Sequence, residues 1–346
     1  MRVTFPSVLD DFSCQRQPCL CKPVRTAPQP AGHPGRAATQ AALDGKLDDL
    51  ARPPWNDFPL LAVQTADGVS LAFSTLCPGV RARMHAAEEP VTPAHSEGGW
   101  RQPLHVWQPD GKLTVRLLPD LPVPWPAFAA LRDALLDLAA EPTLPLLGRL
   151  TRLALTFDQA VHDRALPAAP PPLTPRGFLA FRAFLEARCA AADVERLTHF
   201  VARTRPLLPE LALHSDELPA LLDALVGEWR EQLRQWLVPQ ERELLQVFET
   251  WLGTRLLAMP FDRDVSLARA WAELLETVAV ALRCAAALGE LRRAPLTPPQ
   301  LLAALALAEA FVATQDAPLP AFEQPRDLHD RGPRMADLDL SLDAIC

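Results

Sequence analysis

The fold is decided by two apolar segments in the last third of the chain, 274-LLETVAVALRCAAAL-288 and 301-LLAALALAEAFVA-313. Both fall short of the roughly 20 apolar residues that a membrane helix needs. Charged residues also interrupt them, Glu276 and Arg283 in the first and Glu309 in the second. Such segments are typical of helices buried in a globular core, so we predict a mainly α fold that does not enter a membrane.

Upstream of these segments, apolar residues recur about every 3.6 positions from Pro126 onward, which is the spacing of one face of an α-helix. Leu131, Leu135 and Leu138 show this pattern in the first helix. The sequence therefore predicts a multi-helix domain over residues 126–318. Its further helices are expected at Leu144–Arg164, Pro175–Ala191, Val194–Arg205, Glu217–Leu237, Gln240–Ala258, Leu267–Leu288 and Pro299–Thr314.

Three helix starts are recognisable from their capping residues. Thr174 and Thr297 each stand directly before proline, and a hydroxyl followed by proline is typical of the first turn of a helix. Ser215 precedes Asp216 and Glu217, whose negative charges suit the positive end of the helix dipole. We expect helices to begin at these three positions.

The chain ahead of the helical domain carries two hairpin signals, in Ala66-Asp67-Gly68 and in Pro109-Asp110-Gly111. An Asp-Gly pair between apolar runs favours a tight turn, because glycine adopts a positive φ without steric cost. The flanking strands are expected at Leu60–Gln64 with Val69–Thr75, and at Leu104–Trp107 with Leu113–Leu117. Residues 22–57 are rich in Pro, Ala and Gly and resemble a linker. Residues 1–125 are therefore predicted to form a small cysteine-bearing region with two β-hairpins.

The charge balance limits the expected partners. Lys and Arg number 34 and Asp and Glu 42, giving a net charge of -8 with both signs mixed along the chain. No stretch is basic enough to follow a phosphate backbone, so nucleic acid is not an expected partner.

The two ends of the chain also carry expectations. The opening MRVTFPSVLDDF lacks the apolar core of a secretory signal, so we expect a cytoplasmic location. Residues 319–346 begin Pro-rich and continue with many charges. We expect them to form a mobile tail.

The chain has seven cysteines, an odd number that favours free thiols or metal ligands over a disulfide framework. Cys189 and Cys284 lie within Ala- and Leu-rich helices. Free cysteine is among the most often buried residue types, so we expect these two to have packing roles.

A metal site is suggested by the segment 12-FSCQRQPCLC-21, which places Cys14, Cys19 and Cys21 within eight residues. Thiolates this close together can share one zinc ion or one iron–sulfur unit, and a fourth ligand would complete the coordination. Cys77 and His33 are both candidates for that ligand. The spacing is not that of a standard zinc knuckle, and incidental free cysteines on an exposed arm account for it equally well.

Two segments, 10-DDFSCQRQPCLC-21 and 57-DFPLLAVQTADGVSLAFSTLCPGVR-81, resemble the bacterial cysteine-cluster family of zinc- or iron-chelating proteins that includes flagellin lysine-N-methylase. Phe58-Pro59 and Cys77-Pro78 match two landmarks of that family. The helical part looks similar in 246-QVFETWL-252 and 255-RLLAMPF-261. The resemblance spans most of the chain, through short motifs.

The cysteine motif is degenerate compared with that of the family. Residues 22–57 contain no cysteine, and Trp55-Asn56-Asp57 stands where the family has a Cys-Arg pair. The resemblance implies a metal site reduced to Cys14, Cys19, Cys21 and Cys77, which suffices for one four-coordinate ion.

The resemblance also implies an activity, protein-lysine N-methylation with S-adenosylmethionine as the methyl donor and a protein as substrate. No G-x-G-x-x-G turn occurs among the 14 glycines, so no nucleotide-type cofactor site is predicted by motif. Catalytic and cofactor-binding residues are not identified from the sequence. The alternative hypothesis is a non-enzymatic helical interaction protein with a vestigial metal site.

Two tryptophans leave a further choice open. Trp229 and Trp236 lie two turns apart on one predicted helix, with Arg230 and Arg234 nearby. They either line a groove that binds a partner or face the core, and the apolar stripe that contains them favours the core.

Overall fold

The computed structural model describes residues 61–65, 68–72, 106–107, 114–205, 208–258, 266–315, 319–324, 334 and 338–346. Helices dominate these residues, which confirms the mainly α fold. The α-helices are α1 (Trp125–Ala139), α2 (Leu146–Asp163), α3 (Pro175–Ala190), α4 (Val194–Thr204), α5 (Leu218–Val226), α6 (Trp229–Trp236), α7 (Glu241–Ala258), α8 (Leu267–Arg292) and α9 (Pro298–Ala313). None of these helices is long and apolar enough to cross a membrane.

The centre of the domain is α8, which packs against α3, α5, α6 and α9. Almost every residue of α8 from Leu267 to Gly289 is buried, including Glu276 and Arg283. A helix that is apolar around its whole circumference has no solvent-facing side, so neighbours must surround it. This burial confirms that the segment 274–288 is a core helix, and α9 is buried in the same way.

The helix predicted at 217–237 is wrong as a single element, because the chain leaves the helix at Gly227, between α5 and α6. Gly227 is extended, and its amide donates to the carbonyls of Asp223 and Ala224 at 3.0 and 3.3 Å. The Gln232 side chain folds back onto the Ala224 carbonyl at 2.8 Å. A Cβ on Gly227 would lie 2.8 Å from the side-chain nitrogen of Gln232. Only glycine therefore fits here without moving the Gln232 side chain.

Two of the three predicted helix starts are confirmed. The Thr174 hydroxyl oxygen accepts a hydrogen bond from the backbone N–H of Gly177 at 3.1 Å. Thr297 forms a capping box with Gln300. At the third start the cap is His214 and not Ser215, which instead opens a short 3-10 turn. The Glu217 carboxylate accepts a hydrogen bond from the backbone amide of His214 at 2.7 Å. This bond satisfies a donor at the start of the turn that the turn's own backbone leaves without an acceptor.

The first predicted hairpin is confirmed, because β1 (Leu61–Thr65) and β2 (Gly68–Ala72) pair antiparallel, with Leu61 opposite Ala72 and Thr65 opposite Gly68. The second hairpin is wrong. β3 (Val106–Trp107) instead runs parallel to β1, while β4 (Thr114–Leu118) pairs antiparallel with β5 (Leu121–Pro124).

Burial explains the partner of β4. Its residues Val115 and Leu117 face the helices, and β4 contacts both α2 and α8. Val123 of β5 is buried on the same side and pairs directly with Val115. The Asp-Gly cue at 110–111 is local, whereas this shared apolar face requires the helical domain to be present.

Residues 319–346, expected to form a mobile tail, contribute described residues to the core. Phe322 packs edge-on against Phe181 and Phe184 of α3. Leu342 and Ile345 lie in a 3-10 turn and are 0% and 1% exposed. The end of this segment therefore belongs to the packed structure.

Candidate functional site

The residues predicted to bind metal, Cys14, Cys19, Cys21 and Cys77, lie outside the described residues, as does His33. Within the described part of the chain, no group of three or more His, Cys, Asp or Glu side chains is arranged to hold a metal ion. The strand β2 ends five residues before Cys77 and packs against α7. Cys77 thus lies five residues after β2, a strand that contacts the helical domain.

The thiols of Cys189 and Cys284 are enclosed in the helical core, which confirms the packing role predicted for them. Burial raises the pKa of each thiol to about 12. The Cys189 thiol donates a weak hydrogen bond to the Ala279 carbonyl at 3.5 Å. Since nucleophilic attack and metal ligation both need the thiolate, these two cysteines are unsuited to either chemistry at neutral pH.

A polar cluster lies beside Cys189, at the contact between α3 and α8. Arg188 donates two hydrogen bonds to the Glu276 carboxylate, at 2.7 and 2.8 Å. These bonds raise the pKa of the Arg188 guanidinium, and the Glu276 side chain is only 3% exposed. A bidentate pair of this geometry joins the two helices with a defined register.

Arg283 is the second buried charge of this cluster, and it has a different kind of partner. Its guanidinium donates to the backbone carbonyl of Cys189 at 2.9 Å and also to that of Leu225. These carbonyls lie in the last turns of α3 and α5, where no backbone amide of the same helix can reach them. A single cation therefore caps two helix ends and interacts favourably with both dipoles.

Glu241 has the complementary position at two helix starts. Burial is the largest effect on its carboxyl and raises the pKa. The backbone of Leu342 and of Leu146 lowers the pKa and so opposes this shift, whereas nearby Asp339 raises the pKa further. Leu146 opens α2 and Leu342 opens the terminal 3-10 turn, so the Glu241 carboxyl lies near the start of both elements.

The two tryptophans of α6 turn out to differ. Trp236 is 9% exposed, and its indole N–H donates to the Glu290 carboxylate at 2.9 Å, so it belongs to the core. Trp229 is half-buried at the edge of the core, with the Arg230 guanidinium 5.4 Å from its ring centre. That guanidinium pairs with Glu186 at 2.6 Å. The prediction that these tryptophans face the core is therefore confirmed for Trp236. Trp229 instead lies at the edge of the core and is partly exposed.

Sequence reasoning missed the capping role of Arg283 and the buried position of Glu241. Both charges were visible, but Arg283 was interpreted as an interruption of an apolar run. A buried basic residue in such a run was the only available signal, and it could not identify the two carbonyls that Arg283 binds.

Comparisons with protein-family models, with curated proteins and with solved structures found no match for this chain. The resemblance to the cysteine-cluster family thus stays a prediction from short motifs.

Proposed function

We propose that this protein is a cysteine-cluster metal-binding protein that holds one zinc ion or one iron–sulfur unit. The proposed ligands are Cys14, Cys19, Cys21 and Cys77. Three of these thiols fall within eight residues, which makes a shared ion possible without long loop closure. A reduced compartment such as the cytoplasm, where free thiols persist, suits this proposal.

The observation that carries the proposal is the division of the seven cysteines into two groups. The thiols at Cys189, Cys284 and Cys346 all have raised pKa values, about 12, 12 and 11, with burial as the main cause. A metal-bound thiol must lose its proton, and burial opposes that loss at these three positions. The proposal therefore assigns thiolate ligation to the other four cysteines, the set that the family resemblance implies.

We extend the proposal to protein-lysine N-methylation, with S-adenosylmethionine as donor and a protein as substrate. This extension rests on the resemblance of the segments 10–21 and 57–81 to the cysteine-cluster family. It is tested by incubating the purified protein with S-adenosylmethionine and lysine-containing proteins and following the mass of the acceptor. Acceptor that stays unmethylated by metal-loaded protein would remove the enzymatic extension and leave the metal site as a separate question.

The alternative is a non-enzymatic interaction protein with a vestigial metal site. One observation favours it: the helical domain packs a short segment of its own chain, the 3-10 turn of residues 342–345, whose Leu342 and Ile345 are buried.

Metal analysis of anaerobically purified protein tests the main proposal, together with an ultraviolet–visible spectrum. Zinc gives no visible absorption, whereas an iron–sulfur unit does. We expect one metal site per chain, lost in Cys14→Ser and in Cys77→Ser. Cys346→Ser is the matched control and should retain the metal. The proposal would be overturned if Cys14→Ser and Cys77→Ser bind as much metal as the unaltered protein. It would also be overturned if the unaltered protein holds no metal after anaerobic reconstitution.

A further inference from the structure

We draw no further inference here: the strongest candidate, the edge of β4 (Thr114–Leu118) that faces away from β5, carries none, because nothing in the described part of the chain shows what covers it.

Discussion

The Arg283 guanidinium on α8 donates a hydrogen bond to the backbone carbonyl of Cys189 on α3, with 2.9 Å between Nη1 and the oxygen. The cation thereby binds the end of a helix that lies 94 residues earlier in the sequence. Burial lowers the pKa of this guanidinium, but arginine keeps its charge in proteins, so the capping interaction persists throughout the physiological range. Arg283 is thus a charged residue with an architectural role.

Replacing Arg283 with methionine should destabilise the protein by about 2 to 4 kcal/mol, because the carbonyls of Cys189 and Leu225 would be buried without donors. Urea unfolding followed by circular dichroism measures the change. The control is Arg293→Met, since that side chain is 72% exposed and forms an exposed ion pair with Glu290, so a change below about 1 kcal/mol is expected. Equal effects of the two substitutions would contradict the capping role.

Gly289→Ala should also destabilise the protein, by about 1 to 3 kcal/mol, because the added methyl group overpacks the core. A Cβ at Gly289 would lie 2.7 Å from the Cβ of Trp236. Gly253→Ala is the matched helical control, because a Cβ there meets no atom of the described residues within 4 Å. It should stabilise the protein by up to about 1 kcal/mol through helix propensity. Thermal unfolding of both variants tests whether Trp236 packs against α8.

Glu241 should make stability depend on pH. Burial raises the pKa of its carboxyl in the folded protein, so the folded state favours the protonated form. The protonated carboxyl therefore contributes to the free energy of unfolding. This contribution is complete below the usual pKa of a glutamate and is lost as pH rises through the raised pKa of the folded state. Glu241→Gln, which mimics the protonated group, should therefore stabilise the protein near neutral pH and have little effect near about pH 4. Urea midpoints at the two pH values test this, and a variant that is less stable at neutral pH would contradict it.

The two core thiols should resist modification in the folded protein. With the pKa of Cys189 and Cys284 raised to about 12, almost none of either thiol is ionised at neutral pH, and neither is exposed. Iodoacetamide labelling followed by peptide mass spectrometry should find both unmodified until denaturant is added. Rapid labelling of Cys189 in the folded protein would show that the contact between α3 and α8 opens readily.

Metal removal should affect only the amino-terminal part of the protein. A site made of thiolates from Cys14, Cys19, Cys21 and Cys77 has no preformed counterpart in the unfolded chain, so its metal is linked to folding of that region. After chelation, hydrogen exchange should accelerate across β1 and β2, while residues 126–314 stay protected. Unchanged exchange everywhere would count against a bound metal.

Local chemistry determined much of the helical domain. The period of the apolar residues located most of the helices, and Thr174 and Thr297 marked the first turns of α3 and α9. These signals are readable because a helix closes its hydrogen bonds within a few residues. The apolar segment 274–288 likewise determined that α8 is a core helix, whichever neighbours surround it.

The tertiary structure alone decided which separated residues meet. Val115 and Leu117 pair β4 with β5 because both strands bury one face on the helices, although the local turn signal favoured β3. Arg283 caps two helix ends, and Leu342 is buried against the helical domain, for the same kind of reason. Burial and hydrogen-bond satisfaction depend on what lies opposite a side chain in space, and the order of residues along the chain does not contain that information in a locally readable form.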